Sequence, residues 1–120
     1  MAKHNELGKL GEQLAIKYLR GKGFQIVEVN WYFGHHEIDI IARDGEMLVV
    51  VEVKTRATDV FGEPEMAVNK QKQRSIVKAA DAYIQQHDLN IETRFDIVSV
   101  IITQNERRIF HIDDAFYPIM

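Results

Sequence analysis

The sequence contains no cysteine, which excludes disulfide bonds and thiolate metal sites and leaves the fold to be held by packing alone. Long apolar runs are also missing, because no segment approaches the roughly 20 apolar residues that cross a bilayer. The N-terminal segment lacks the continuous apolar core of a signal peptide. These absences predict a cytoplasmic protein that makes no contact with a membrane.

A large excess of positive charge is absent as well. The net charge is −3 and the pI is near 5.9, so bulk positive potential cannot drive the coating of nucleic acid. Any surface that binds phosphate must therefore be local. The basic residues do cluster in two segments, Lys54 with Arg56 and then Lys70, Lys72, Arg74 and Lys78. A run of this kind is also typical of a solvated helix face.

Linker-forming residues are scarce, since proline occurs only at Pro64 and Pro118 and no Gly/Ser-rich stretch interrupts the chain. A length of 120 residues is the usual size of one domain, and 46% hydrophobic residues suffice for a continuous core. We therefore expect a single domain over residues 1–120.

The spacing of apolar residues predicts two helices. Leucines and a tyrosine recur at helical spacing over residues 5–21, and a second helix should run from about Glu65 to His87. On a helical wheel, Lys72 and Gln73 share the apolar stripe of this second helix, which comprises Ile76, Ala79, Ala80 and Tyr83. The two polar residues therefore either lie at the border of the core or reach out to a substrate phosphate.

Runs rich in β-forming residues predict the strands, at residues 25–32, 93–102 and 107–112, with a hairpin over 37–56 that turns at Asp44-Gly45. The order α-β-β-β-α-β-β predicts an α/β fold in which a central mixed sheet of about five strands is flanked by helices. A helical crossover between the third and fourth strands would make that pair parallel.

Charged residues interrupt the hairpin at regular intervals. If Asp44 and Gly45 form a two-residue loop, Arg43 faces Glu46, and counting outward pairs Asp39 with Val50 and Glu37 with Glu52. Residues two apart share a face of a strand. This register predicts one charged face, formed by Glu37, Asp39, Glu52 and Lys54, and one apolar face, formed by Ile38, Ile40, Val49, Val51 and Val53.

Asp39 and Glu52 would then be diagonal neighbours with Cα atoms about 7–8 Å apart, close enough for both carboxylates to bind one Mg²⁺ or Mn²⁺ ion. Such an ion activates water for phosphodiester hydrolysis, and Lys54 would stabilise charge on the phosphate or orient the water. The alternative is a salt-bridged face of the hairpin that is exposed to solvent. Glu12 lies near the edge of the apolar face of the first helix, where it either reaches the same cleft or is solvated.

Other candidate residues carry weaker signals. His35 and His36 should point to opposite faces of a strand, and no third soft ligand has a spacing that would complete a zinc site. The aromatic run Trp31–Phe33 is more typical of packing than of base stacking. Asp96 lies within an apolar strand, where it is expected to anchor a neighbouring element and to have no catalytic role.

The motifs resemble those of a known nuclease superfamily. Asp39 followed by the tripeptide EVK (Glu52 to Lys54) resembles the signature of restriction-endonuclease-like PD-(D/E)XK nucleases. The wider string, in chain order GEQLAIKYL, EIDIIARDG, VVVEVKTR, FGEPEMAV, KQR and RFDIVSV, resembles the YraN-like family of bacterial proteins, which is related in motif to archaeal Holliday-junction resolvases. One departure is His36, which stands where relatives usually have glycine and could reshape the entrance to the site.

This resemblance implies a restriction-endonuclease-like fold and a Mg²⁺- or Mn²⁺-dependent nuclease of DNA, including structured or branched DNA. Asp39 and Glu52 would bind the metal and Lys54 would be the catalytic lysine, while Glu12 and Gln73 would complete the active site. Phosphate contacts are expected from Arg56, Lys70, Lys72 and Arg74, and a homodimer would allow two strands to be cut. The alternatives are an inactive nucleic-acid-binding module of the same fold and a structural or interaction domain.

Overall fold

The computed structural model describes residues 2–57 and 68–118. Its elements are α1 (Ala2–Gly21), β1 (Gln25–Phe33), β2 (His36–Asp44), β3 (Met47–Arg56), α2 (Lys70–Gln86), β4 (Thr93–Ile102) and β5 (Arg107–Phe116). This order confirms the predicted sequence of helices and strands.

The second helix begins later than the sequence predicted. Residues 65–67 lie outside the described ranges, but Val68 and Asn69 are not helical. Asn69 caps the helix, because its side-chain oxygen accepts a hydrogen bond from the Lys72 amide at 2.8 Å. The cap satisfies a backbone donor that the first turn leaves without a partner, which fixes the start of α2 at Lys70.

The strands form one five-stranded sheet in the order β1-β2-β3-β4-β5. β3 and β4 are parallel, as predicted for a pair joined by a helical crossover, whereas the other neighbouring pairs are antiparallel. A mixed sheet of this kind needs cover on both faces. α1 packs on one face through Ala15 and Leu19, and α2 packs on the other through Ile76, Ala79, Ala80 and Tyr83. The buried stripe of α2 is thus the one that the sequence predicted.

The hairpin between β2 and β3 turns one residue later than predicted. Asp44 remains paired with Met47, so Gly45 and Glu46 form the loop. Gly45 has a φ of 62° whereas Glu46 does not have a positive φ, as in a type II′ turn, which needs glycine at its first central position. The observed register consequently pairs Ile40 with Val51, and the predicted pairing of Asp39 with Val50 was wrong.

The predicted apolar face of the hairpin is confirmed for Ile40, Val49, Val51 and Val53 but was wrong for Ile38. Ile40, Val49 and Val51 belong to the core cluster under α1, but Ile38 belongs to the cluster under α2. The alternation of a regular strand is therefore broken between Ile38 and Ile40, at Asp39. Because helices cover both faces of the sheet, apolar residues of β2 line both of them.

β5 extends to Phe116, past its predicted end at residue 112, because it resumes pairing with β4 after an irregularity. Asp96 lies at this irregularity, and its carboxylate accepts a 3.0 Å hydrogen bond from the Asp114 amide of β5. The structure thus confirms the anchoring role expected for Asp96. In the ranges that the structure describes, neither helix combines the length and apolar character needed to cross a membrane.

Candidate active site

Two buried carboxylates meet where β2 and β3 separate. The described pairing of these strands ends at Ile40 and Val51, so Asp39 and Glu52 come directly after the last pair. Asp39 is 9% exposed and Glu52 is 6% exposed, which rules out the alternative of a solvated charged face for these two residues. The Asp39 carboxylate lies across the gap between the strands, and its Oδ2 atom accepts a 2.8 Å hydrogen bond from the Val53 amide.

The surroundings of Asp39 strongly disfavour its charged form. Burial raises the pKa of Asp39 to about 8, and the negative charge of Glu52 and a hydrogen bond with Glu52 act in the same direction. The bond from the Val53 amide acts against this rise but does not cancel it. At neutral pH Asp39 therefore keeps its proton unless a cation takes its place.

The donor set fits a hard divalent cation. The Oε1 atom of Glu52 is buried and has no hydrogen-bond partner, and the neighbouring Asp39 is also a carboxylate. A bound cation would satisfy that oxygen and remove the repulsion between the two acids. Among the described residues, no group of three or more His, Cys, Asp or Glu side chains is arranged as a ready metal cage. Mg²⁺ tolerates such a site, because it commonly binds one or two carboxylates and keeps several waters.

An open cleft of about 180 Å³ adjoins Asp39, and its lining comprises Leu7, Gly8, Glu12, Asp39, Val53, Lys54 and Thr55. Lys54 follows Glu52 by two positions on β3 and is exposed. The cleft therefore combines a lysine with two acids, and it opens to solvent where a phosphodiester could enter.

α1 brings Glu12 into this cleft because it approaches β3 very closely. A Cβ atom on Gly11 would overlap the Oγ1 atom of Thr55, so only glycine permits the observed distance between helix and strand. Burial raises the pKa of Glu12, and the negative charge of Asp39 raises it further. A hydrogen bond from the Asn30 side chain lowers it in part. The structure thus places Glu12 in the same electrostatic environment as Asp39.

α2 contributes Lys72 from the other side of the sheet. Its Nζ atom lies 3.6 Å from the Oε2 atom of Glu52, while 46% of its side chain is exposed. Gln73, in contrast, donates a 3.0 Å hydrogen bond from Nε2 to the carbonyl of Val68. Of the two polar residues on the stripe, Lys72 therefore contacts the buried Glu52, whereas Gln73 hydrogen-bonds the segment before α2.

The other predicted phosphate-binding residues lie outside the cleft lining. Lys70 and Arg74 are exposed in the first turns of α2, on the helix that carries Lys72. Arg56 is half-buried at the end of β3, two positions beyond Lys54. Because none of the three lines the cleft, they can only contact a substrate that extends beyond it.

The sequence pattern indicated no role for Asn30, whose side chain lowers the pKa of Glu12, and indicated only packing for Tyr32, whose pKa Glu37 raises. A hydrogen bond to Glu37 raises the pKa of Tyr32, and the negative charges of Glu37, Asp39 and Glu12 add to the effect. Tyr32 is 59% exposed and so lies at the rim of the acidic site. The one sequence feature that could have indicated Asn30 is its residue type, because asparagine is depleted in strands.

The neighbouring aromatic and histidine residues have separate environments. Trp31 packs edge-on against Tyr83 with 5.1 Å between ring centroids, as expected for core packing. The rings of His35 and His36 lie 4.2 Å apart, so the prediction that they point to opposite faces was wrong. His35 precedes β2 and does not follow its alternation. His36 Nδ1 lies 2.7 Å from the Ser75 hydroxyl, which links β2 to α2.

Comparison with known proteins places this chain in a family. Residues 11–100 match the family described as Uncharacterised protein family UPF0102. UPF0102 proteins of Flavobacterium psychrophilum and Bacteroides thetaiotaomicron are each 48% identical to this chain, over 117 and 118 residues, and the alignments cover 98% of each chain. A UPF0102 protein of Thermodesulfovibrio yellowstonii is 46% identical over 112 residues, which cover 93% of this chain and 96% of the relative. The matched range spans the positions of Glu12, Asp39, Glu52 and Lys54.

Proposed function

The chain belongs to Uncharacterised protein family UPF0102, the YraN-like family that its motifs indicated, and we propose that it is a metal-dependent nuclease that hydrolyses phosphodiester bonds in DNA. One observation carries the proposal. Asp39 and Glu52 are buried side by side, one Glu52 oxygen has no partner, and the adjoining cleft holds Lys54. A purely structural site gains nothing from two adjacent buried acids, because each raises the cost of ionising the other.

Asp39 and Glu52 would bind Mg²⁺ or Mn²⁺, which supplies a Lewis acid for the phosphate and lowers the pKa of a bound water. The Val53 amide holds the Asp39 carboxylate in place through its 2.8 Å bond, so this ligand needs little reorganisation. Lys72 offsets part of the charge of Glu52 from the α2 side. These residues form the cation-binding part of the proposed site.

Lys54 and Glu12 are the remaining ionisable groups in the lining of the cleft next to Asp39. The Lys54 ammonium would stabilise the charge that develops on the phosphate or orient the attacking water. Glu12 has a raised pKa, which suits a group that accepts a proton from water or gives one to the leaving oxygen near neutral pH. Lys54 and Glu12 would therefore have separate roles in the reaction.

DNA would lie across the carboxyl end of β3 and the first turns of α2. Lys70, Lys72 and Arg74 supply positive charge there, with Arg56 at the strand end, although the chain as a whole carries −3. Local charge of this kind positions a phosphate backbone and does not specify bases. The resemblance to Holliday-junction resolvases makes branched DNA the first substrate to test, and a homodimer would present two sites to its two strands.

The decisive experiment incubates the protein with branched, flapped, single-stranded and duplex DNA in Mg²⁺ or Mn²⁺. Asp39→Asn and Lys54→Ala should each abolish most cleavage, whereas the matched variant Lys17→Ala, at an exposed position of α1, should cleave normally. Cleavage that persists in Asp39→Asn would reveal a contaminating nuclease. DNA binding without cleavage of any substrate, unaffected by Asp39→Asn, would instead identify an inactive binding module.

A further inference from the structure

Asn30 has an unusual backbone conformation for a residue within a strand. It lies in the middle of β1 with a φ of 53°, in the left-handed region that residues other than glycine rarely adopt. β1 pairs with β2 at Val29–Ile40 and again at Trp31–Ile38. Asn30 and Asp39 stand opposite each other between these two pairs and have no pairing of their own.

Both strands exchange faces at this position. Ile40 packs under α1 and Ile38 packs under α2, although residues two apart on a regular strand share a face. On β1, Val29 pairs with Ile40, while Trp31 packs against the α2 cluster. At this point, where both strands change faces, the Asp39 carboxylate accepts a hydrogen bond from the Val53 amide of β3.

The Asn30 side chain adds a second link to the site. It lowers the pKa of the Glu12 carboxylate on α1, whereas burial and the Asp39 charge raise that pKa. The asparagine amide group can donate a hydrogen bond to a carboxylate, which glycine cannot do. Asparagine also enters the left-handed region more readily than most residues that have a Cβ atom. It is therefore a residue type suited to both tasks.

We propose that Asn30 is a positioning residue of the carboxylate site, whose left-handed backbone turns Asp39 toward β3 and whose side-chain amide holds Glu12 in the cleft. The positioning of Asp39 stands on the backbone geometry alone, whereas the effect on cleavage rests on the proposed nuclease function. The two tasks use different parts of the residue, so substitutions can separate them.

The test compares Asn30→Gly and Asn30→Ala with Asn90→Ala, a control at an exposed asparagine outside the cleft lining. Glycine tolerates the left-handed backbone but lacks the amide, whereas alanine lacks the amide and disfavours the backbone. Three quantities are measured on each protein: the NMR shift of the Val53 amide proton, the Mn²⁺ affinity by calorimetry, and the cleavage rate. The Val53 shift reports its bond to Asp39 and does not depend on activity.

Asn30→Ala should move the Val53 amide resonance and weaken Mn²⁺ binding about 10- to 100-fold, the usual effect of removing a group that orients a metal ligand. Asn30→Gly should leave both quantities near their wild-type values but slow cleavage about 10-fold or more, because Glu12 loses its partner. If the Val53 resonance and the Mn²⁺ affinity stay unchanged in Asn30→Ala, the backbone of Asn30 does not position Asp39. Normal cleavage by Asn30→Gly would refute the proposal that the Asn30 side chain holds Glu12 in the cleft.

The outcomes also separate this inference from the proposed function. If the wild-type protein cleaves no DNA, the nuclease proposal fails, yet the Val53 resonance and the Mn²⁺ affinity still decide whether Asn30 positions Asp39. If the wild type cleaves DNA and both Asn30 variants match Asn90→Ala in all three measurements, the nuclease stands and the role of Asn30 is refuted.

Discussion

The Oδ2 atom of Asp39 accepts a 2.8 Å hydrogen bond from the backbone amide of Val53, the residue that immediately follows Glu52. Asp39 of β2 is thus hydrogen-bonded to β3, the strand that carries Glu52. The negative charge of Glu52 also raises the pKa of this carboxylate. The ionisation of Asp39 should therefore affect both the stability of the protein and its binding of a metal ion.

The free energy of unfolding should depend on the ionisation of Asp39. Burial beside Glu52 raises the pKa of Asp39 from 3.8 to about 8, so the folded protein binds a proton more tightly than the unfolded chain does. Stability from this group is therefore fully present below pH 3.8 and is lost as the pH rises toward 8. Urea unfolding across this range should show the decline, and Asp39→Asn should remove it. An equal decline in the variant would contradict the assignment to Asp39.

A divalent cation should reverse that loss of stability at high pH. Mn²⁺ replaces the proton on Asp39, so its affinity should rise with pH and its binding should release a proton. At 100 times its dissociation constant, a ligand that binds only the folded state adds about 2.7 kcal/mol to the free energy of unfolding. Thermal unfolding with and without Mn²⁺ measures the gain. Glu52→Gln should show almost none, and a full gain in that variant would place the cation elsewhere.

Lys54→Ala should separate catalysis from metal binding. Loss of a charged group that stabilises the transition state slows a reaction about 10²- to 10³-fold, whereas Mn²⁺ affinity should change little because Lys54 is not a ligand. Cleavage rates at saturating substrate and calorimetric titration with Mn²⁺ measure the two effects. Lys17→Ala, at an exposed lysine of α1, is the matched control. A large loss of Mn²⁺ affinity in Lys54→Ala would instead indicate a structural role.

Gly11→Ala should push α1 away from β3. The new Cβ atom would overlap the Oγ1 atom of Thr55, a half-buried residue of the sheet. Overpacking of this kind costs about 1–3 kcal/mol. Gly8→Ala is the control, since a Cβ atom there meets nothing within 4 Å. That substitution should stabilise the helix by roughly 0.5–1 kcal/mol. Urea unfolding distinguishes the two, and equal stability of both variants would show that α1 does not need its close approach.

The exposed basic residues of α2 should control how DNA binding depends on salt. Each lysine or arginine that contacts a phosphate contributes about one unit to the slope of log affinity against log salt concentration. The double variant Lys70→Gln/Arg74→Gln should therefore lower the slope by about two units, with a similar effect for all DNA sequences. Fluorescence anisotropy over a salt series measures it. A Lys9→Gln/Lys17→Gln variant of α1 removes the same charge, and an equal effect there would exclude a specific role for α2.

Asp96 should be the main acid-sensitive group of the fold. Its burial alone would raise its pKa, but bonds from His111, Arg94 and the Asp114 amide outweigh burial and lower the pKa overall. The stability it provides is therefore present above the ordinary pKa of 3.8 and is lost as the pH falls through the lowered folded value.

Asp96→Ala should lower the free energy of unfolding by about 3–5 kcal/mol at neutral pH, because it leaves the Arg94 guanidinium and the buried His111 ring without their carboxylate. Asp81→Ala, at an exposed position of α2, should have little effect. Urea unfolding measures both variants. A loss in Asp96→Ala no larger than that of Asp81→Ala would show that the buried network does not stabilise the fold.

Much of the architecture could be predicted from local patterns. The helical spacing in α2 identified Ile76, Ala79, Ala80 and Tyr83 as its buried stripe, and the order of elements predicted the parallel pairing of β3 with β4. The error at Ile38 had a specific cause. The face assignment assumed unbroken alternation, and the left-handed conformation of Asn30 opposite Asp39 ends that alternation in a way that residue spacing does not reveal.

The sequence by itself determined which strands carry Asp39, Glu52 and Lys54, because hydrophobic periodicity and turn residues locate strands along the chain. It also determined family membership, which the comparisons confirm. Only the tertiary structure decided that the two acids are buried, that Asp39 binds the Val53 amide, and that Lys72 rather than Gln73 reaches Glu52. The physical reason is that burial and ionisation depend on the helices above and below the sheet and on the strand across the gap, which lie far from these residues in sequence.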